Sequence, residues 1–160
     1  MTKPVKIAYL EISPRQTGKT QRLVSLANEL SAQAVPVVFV CFPGLVQELQ
    51  TAMPNVTVLA DGEPLPPGID KQQAVWFYDE FDWLKSTVIR EGGYYATTAA
   101  RLREAGALIQ GDMLMDLLKA NGMRHERHLL HSYLWEFVRD HRAIMSPEQF
   151  RLSMLGEFQQ

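Results

Sequence analysis

The stretch that most constrains the fold runs from residue 5 to residue 34. "VKIAYLEI" (Val5 to Ile12) is short, apolar and bounded by turn residues, which predicts a buried strand. "KTQRLVSLANELSAQA" repeats Leu23, Leu26, Ala27 and Leu30 at helical spacing, so an amphipathic helix is expected to start near Gly18. Between them lies only "SPRQT" and the glycine. A buried strand that runs through one tight loop into a helix is the building unit of an α/β layout, in which ligands bind beyond the carboxyl ends of the strands.

The same alternation continues. "VPVVFVCF" reads as a second strand, "GLVQELQTAM" as a short helix and "NVTVLA" as a third strand. "DGEPLPPGID" collects prolines and glycines, as a surface loop does. "AVWFYDE" and "GGYYATTA" are the fourth and fifth strand candidates. Beyond Ala99, "ARLREAGALIQGDMLMDLLKANG" and "HLLHSYLWEFVRDHRA" read as helical. "SPEQFRLSMLGEF" opens with a helix cap: Ser146 as N-cap, Pro147 as first helical residue, Gln149 as capping-box partner. The expectation is a mainly parallel sheet of about five strands with flanking helices and a helical C-terminal part. It forms one domain over 1–160, with a core over 1–110 and a helical subregion over 111–160.

Composition excludes several classes. A chain of 160 residues can bury one sufficient core. A net charge of −2 argues against a generally basic nucleic-acid coat, though a local basic stripe stays open. The single Cys41 rules out an internal disulfide and a cysteine metal site. The longest apolar run, Val35 to Phe42, is far too short for a membrane span, and the N-terminus lacks signal-peptide architecture. A cytoplasmic protein without membrane contact is expected.

Residues Ser13 to Thr20 (Ser13, Pro14, Arg15, Gln16, Thr17, Gly18, Lys19, Thr20) differ from the phosphate-binding loop signature only at the first position, where Ser13 replaces glycine. Backbone N–H groups of such a loop surround phosphates. Lys19 can reach the β- and γ-phosphates, and the Thr20 hydroxyl can ligate Mg²⁺. Gly-Lys-Thr also opens helices by chance; the preceding strand and following helix favour a nucleotide site and a P-loop NTPase fold, with ATP and Mg²⁺ as ligands. Arg15 has two readings, a solvated loop arginine or one that stabilises charge on the γ-phosphate. In "AVWFYDEFDWL", Asp79 would hold the Mg²⁺ shell and Glu80 would orient or activate the attacking water. An ordinary strand with a polar turn is the plainer alternative. Asp82 reads as a helix cap or exposed acid, and Trp76, Phe81 and Trp83 as packing residues.

With these residues in hand, the chain resembles the ATPase domain of phage terminase large subunits, the DNA-packaging motors. "SPRQTGKT" is similar to their loop, in which Arg-Gln precedes Gly-Lys-Thr and the first glycine is often absent. "VWFYDEFDWL" is similar to their acidic strand end, "GGYYATTAARLRE" to their coupling strand and "MSPEQFRLSMLGEF" to the segment that closes the ATPase region. The resemblance implies Lys19 and Thr20 for phosphate and Mg²⁺, Arg15 as a charge-stabilising arginine, Asp79 for metal and Glu80 as catalytic carboxylate. It implies that Thr97 and Thr98 sense the γ-phosphate; plain strand propensity of threonine is the alternative. It implies DNA as partner, phage packaging components, work as a homo-oligomer, and the host cytoplasm for a phage-encoded chain. Two departures stand out: Ser153 occupies a place usually held by glutamate, and no acidic cluster follows that could bind two metals, so nuclease activity is not expected.

Other features are weaker. His125, His128 and His131 in "RHERHLLH" lack metalloprotease spacing and read as a solvated helix face. Arg101, Arg103, Arg124, Arg127, Arg139 and Arg142 read as solvated helix charge, with DNA phosphates or a neighbouring subunit's site as alternatives. Methionines in "DMLMDLL" read as core fillers. Two rival functions remain: a small-molecule or nucleoside kinase, and a regulatory module that holds nucleotide without turnover.

Overall fold

The computed structural model describes residues 5–104, 111–129 and 135–159. Five strands, β1 (Tyr9–Ile12), β2 (Val37–Cys41), β3 (Thr57–Ala60), β4 (Val75–Asp79) and β5 (Tyr94–Thr97), form one sheet in the order β1-β5-β4-β2-β3. Every neighbouring pair is parallel. The α/β expectation therefore holds, with a wholly parallel sheet. The first strand is shorter than the apolar run that predicted it, because pairing with β5 begins only at Tyr9.

Parallel strands buried on both faces need apolar residues at successive positions, and β2 is buried throughout. On one face, Phe39, Phe77 and Ala96 pack under α1 (Lys19–Ala32) and α2 (Val46–Ala52), the latter preceded by a 3₁₀ turn over Pro43–Leu45. Phe77 stacks on Tyr94 with centroids 4.3 Å apart. On the other face, Leu10, Ile12, Val40, Tyr78 and Tyr95 meet Leu114, Leu117 and Leu118 of α3 (Met113–Ala120) and the C-terminal residues Leu152 and Phe158. Trp76, Phe81 and the α3 methionines pack as expected.

The C-terminal part departs from expectation. Residues 101–104 are not helical, because the Arg103 N–H is drawn to the Phe158 carbonyl at 2.6 Å. α3 starts after Asp112, whose side chain caps the Met115 N–H. Residues 124–129 are not helical: Glu126 exchanges backbone bonds with β1, accepting from Ile12 N–H and donating to the Leu10 carbonyl. This bridge covers the open edge of β1. The predicted histidine helix face is thus absent at His125 and His128, and His131 lies outside the described residues. α4 (Trp135–Ile144) and α5 (Pro147–Phe150) follow, with Ser146 capping the Gln149 N–H as read from the sequence. A π turn over Arg151–Leu155 ends at the left-handed Gly156.

Candidate functional site

All strands run the same way, so the ends of β1, β4 and β5 deliver their exit loops to one edge. There a cavity of about 520 Å³ is lined on one side by Arg15, Gln16, Gly18, Lys19, Thr20 and Gln21. Asp79 and Glu80 adjoin them, and Thr98, Trp83, Phe42 and Leu45 complete the lining. The loop and the acidic pair are 59 residues apart between Thr20 and Asp79, yet the Thr20 hydroxyl donates to the Asp79 carboxylate at 3.0 Å. Lys19 is buried; its ammonium donates to the Pro14 carbonyl at 2.9 Å and lies 3.6 Å from Glu80 Oε1.

Backbone conformation shapes the loop. Gln16 (φ 57°) and Gly18 (φ 84°) are both left-handed. No side chain caps α1, so the N–H groups of Lys19, Thr20 and Gln21 have no intrahelical or side-chain partner at its first turn. Gly18 is needed twice over: its φ is one that other residues adopt at a cost, and a Cβ there would sit 3.1 Å from Arg22 Nη1. Arg22 in turn is held by the fully buried Glu11, with Nη2 2.6 Å from Oε2. The Tyr9 hydroxyl donates to the same carboxylate at 2.6 Å. Burial raises the Glu11 pKa, but the bonds from Arg22, Tyr9 and Ser13 outweigh it and hold the carboxyl below its ordinary range.

Glu80 adopts φ 56°, a left-handed conformation that costs a non-glycine residue roughly 1–2 kcal/mol. Such strain at the end of a strand is a feature of sites that must aim a side chain. Here Glu80 Oε2 accepts the Thr98 N–H at 3.0 Å, and the Thr97 hydroxyl lies 3.4 Å from the same oxygen. Asp79 is 1% exposed. Burial, then the negative charge of Glu80, pushes its pKa up to about 7, against the opposing bond from Thr20 and the positive charge of Lys19. A carboxylate so placed gains from any added positive charge.

The donor set fits Mg²⁺ with a phosphate. Mg²⁺ takes one or two protein oxygens and completes its shell with water and phosphate; the Thr20 hydroxyl and Asp79 supply two such oxygens. The Thr98 hydroxyl is buried beside the cavity without a hydrogen-bond partner, a deficit that a polar ligand or water could meet. Among the described residues no group of three or more His, Cys, Asp and Glu gathers around one point.

The remaining sequence candidates divide. Arg15 is exposed at the cavity, its N–H tied to the Ser153 carbonyl at 2.7 Å. Ser13 is buried and does not line the cavity; its hydroxyl accepts the His128 N–H at 2.9 Å. Pro14 packs against Gly156, where a Cβ would stand 2.6 Å from Pro14 Cδ. Three readings are corrected. Asp82 is neither a cap nor exposed: its side chain, 7% exposed, pairs with Arg103. Arg103 is not solvated helix charge but 4% exposed and shared between Asp82 and Asp112. Trp83 is not a core residue; it is 45% exposed at the cavity mouth, with its indole N–H bound to the Thr98 carbonyl. Sequence reasoning missed Phe42 and Leu45; Phe42 ended the predicted strand "VPVVFVCF" and Leu45 lay in the predicted helix after it, and the carboxyl end of a parallel strand was the available signal.

Comparison with protein-family models, curated proteins and solved structures gave no match to this chain.

Proposed function

We propose that the protein binds ATP with Mg²⁺ at Ser13–Thr20 and hydrolyses it. The observation that carries this reading is the meeting, at one cavity, of Lys19–Thr20 with Asp79–Glu80 from a strand two places away in the sheet. The N–H groups at the start of α1 donate to phosphate oxygens, and the positive end of the helix favours the charge. Lys19, now on the Pro14 carbonyl, exchanges that partner for phosphate. Thr20 and Asp79 hold the metal side, and Mg²⁺ when bound neutralises charge on the phosphates.

Glu80 accepts the proton of the attacking water through the carboxylate oxygen facing the cavity. The Thr98 N–H holds its other oxygen and thereby its orientation. Arg15, at the rim, is placed to neutralise charge at the phosphate end. Loss of the γ-phosphate would be felt first by Thr97 and Thr98, which join Glu80 to β5. The resemblance to terminase ATPase domains extends the proposal to a motor acting on DNA in phage packaging, as an oligomer. No helix among the described residues is long and apolar enough to cross a membrane.

One observation favours phosphoryl transfer to an acceptor instead. A second cavity of about 460 Å³ shares Arg15, Trp83 and Thr98 with the first. Phosphate release from ATP without added acceptor distinguishes hydrolysis from a kinase reaction, and ATP recovered intact from a single turnover identifies a binding module. The first step is tested by Lys19→Ala: binding of ATP-Mg²⁺ by isothermal calorimetry should weaken by tenfold or more, and unchanged binding would remove the site from consideration.

A further inference from the structure

We propose that Arg103 is a positioning residue that holds Glu80 in its working geometry through Asp82; this rests on the hydrolytic reading of the Glu80 site. Arg103 lies 23 positions beyond Glu80 and touches neither the loop nor the cavity lining. It is nevertheless among the most enclosed charges in the described chain, with its side chain 3% exposed. Its Nη2 donates to Asp82 Oδ1 at 2.8 Å and to Asp112 Oδ1 at 3.1 Å, and its Nε to Asp112 Oδ2 at 2.9 Å. The guanidinium fork thus ties the acidic turn after β4 to the residue that caps α3. The Arg103 backbone N–H adds the C-terminal segment through the Phe158 carbonyl.

Asp82 uses the carboxylate that Arg103 fixes. Its Oδ2 accepts the Ala100 N–H at 2.7 Å, and its own N–H donates to the Thr97 hydroxyl at 3.3 Å. Two residues earlier, Glu80 accepts from Thr98. Glu80 and Asp82 therefore both grip the exit of β5, Glu80 at Thr98 and Asp82 at Thr97 and Ala100. The Trp83 indole adds a third hold on the Thr98 carbonyl at 2.7 Å. The strained φ of Glu80 persists only where neighbours over-determine it. Asp82 is one of the neighbours that do so, and the two bonds from Arg103 Nη2 fix the orientation of its carboxylate. Lysine could not replace the arginine, since one ammonium cannot form the fork to two carboxylates.

The test uses Arg103→Lys, which keeps the buried charge, and Asp82→Asn, which keeps the acceptor for Ala100. Steady-state hydrolysis of ATP-Mg²⁺ is measured beside far-ultraviolet circular dichroism and thermal unfolding. Both variants are expected to stay folded with KM within twofold of wild type and kcat reduced at least tenfold. Wild-type kcat in folded Arg103→Lys overturns the inference. So does a loss of rate that only tracks the unfolded fraction, or an equal change in KM, because each marks Arg103 as a merely structural partner. A wild-type protein that neither binds nor hydrolyses nucleotide overturns the hydrolytic reading itself, and this inference with it.

Discussion

Replacing Gly156 by alanine tests whether the C-terminal segment sets the shape of the phosphate loop. Gly156 has φ 68°, so alanine there incurs roughly 1–2 kcal/mol for the left-handed backbone alone. The added methyl would also stand 2.6 Å from Pro14 Cδ and 2.8 Å from Pro14 N. The second atom is backbone and cannot swing aside, so the overlap adds about 1–3 kcal/mol. Gly62 is the internal control: its φ is 84°, and nothing lies within 4 Å of its added methyl. Gly62→Ala therefore carries the backbone cost without the collision. By differential scanning calorimetry, Gly156→Ala should melt about 3–10 °C below Gly62→Ala. The displacement also reaches the site, since Pro14 supplies the carbonyl that holds Lys19 and the Arg15 N–H rests on Ser153. ATP affinity should fall in Gly156→Ala and stay unchanged in Gly62→Ala. Equal melting temperatures and equal affinities in the two variants would refute the argument.

Two further outcomes follow from buried ionisable groups. Because the Glu11 pKa is depressed in the folded chain, its contribution to stability is complete above the ordinary carboxylate range near ~4.3 and is lost as pH falls through the lower folded value. Arg22→Met should cost about 3 kcal/mol in urea unfolding at pH 7, near the low end for a broken buried pair because Arg22 is partly exposed, and the deficit should shrink below pH 4. A deficit independent of pH would contradict the pairing. Burial, with lesser help from the charges of Asp79 and Glu63, pushes the Cys41 thiol up to about 12. Thiol reagents at pH 8 should therefore label Cys41 only at the rate at which the chain unfolds, checked by labelling across a denaturant series. Rapid labelling of the folded protein would contradict its burial.

Much of the sheet was legible because its signals are local. Runs such as "VVFVC" and "VWFY" are apolar at consecutive positions, as parallel strands covered on both faces must be. Gly18-Lys19-Thr20 was legible because it opens a helix after a strand run, and Asp79-Glu80 because the acids end one. The departures depend on partners distant in sequence. "RHERH" has helical composition, but β1 offers a free edge 115 residues upstream, and pairing with it fixes residues 125–127 as extended chain. Arg101 and Arg103 sit in a stretch that suggests helix, yet a buried Asp82 and the Phe158 carbonyl claim Arg103. Trp83 has a core residue's composition, but its indole N–H needs an acceptor, and the Thr98 carbonyl at the cavity rim provides one. In each case a long-range hydrogen bond overrides a local preference, and no periodicity records it.

The account rests on Glu80 acting on water beside phosphates held by Lys19 and Thr20, so its most direct test is phosphate release from ATP-Mg²⁺ by wild type and Glu80→Gln at matched nucleotide occupancy. The substitution keeps the side chain's length and an acceptor for the Thr98 N–H but removes the base. The account predicts that both proteins bind ATP with the same affinity and that Glu80→Gln releases phosphate ~100-fold or more slowly. Equal release by the two proteins would contradict it.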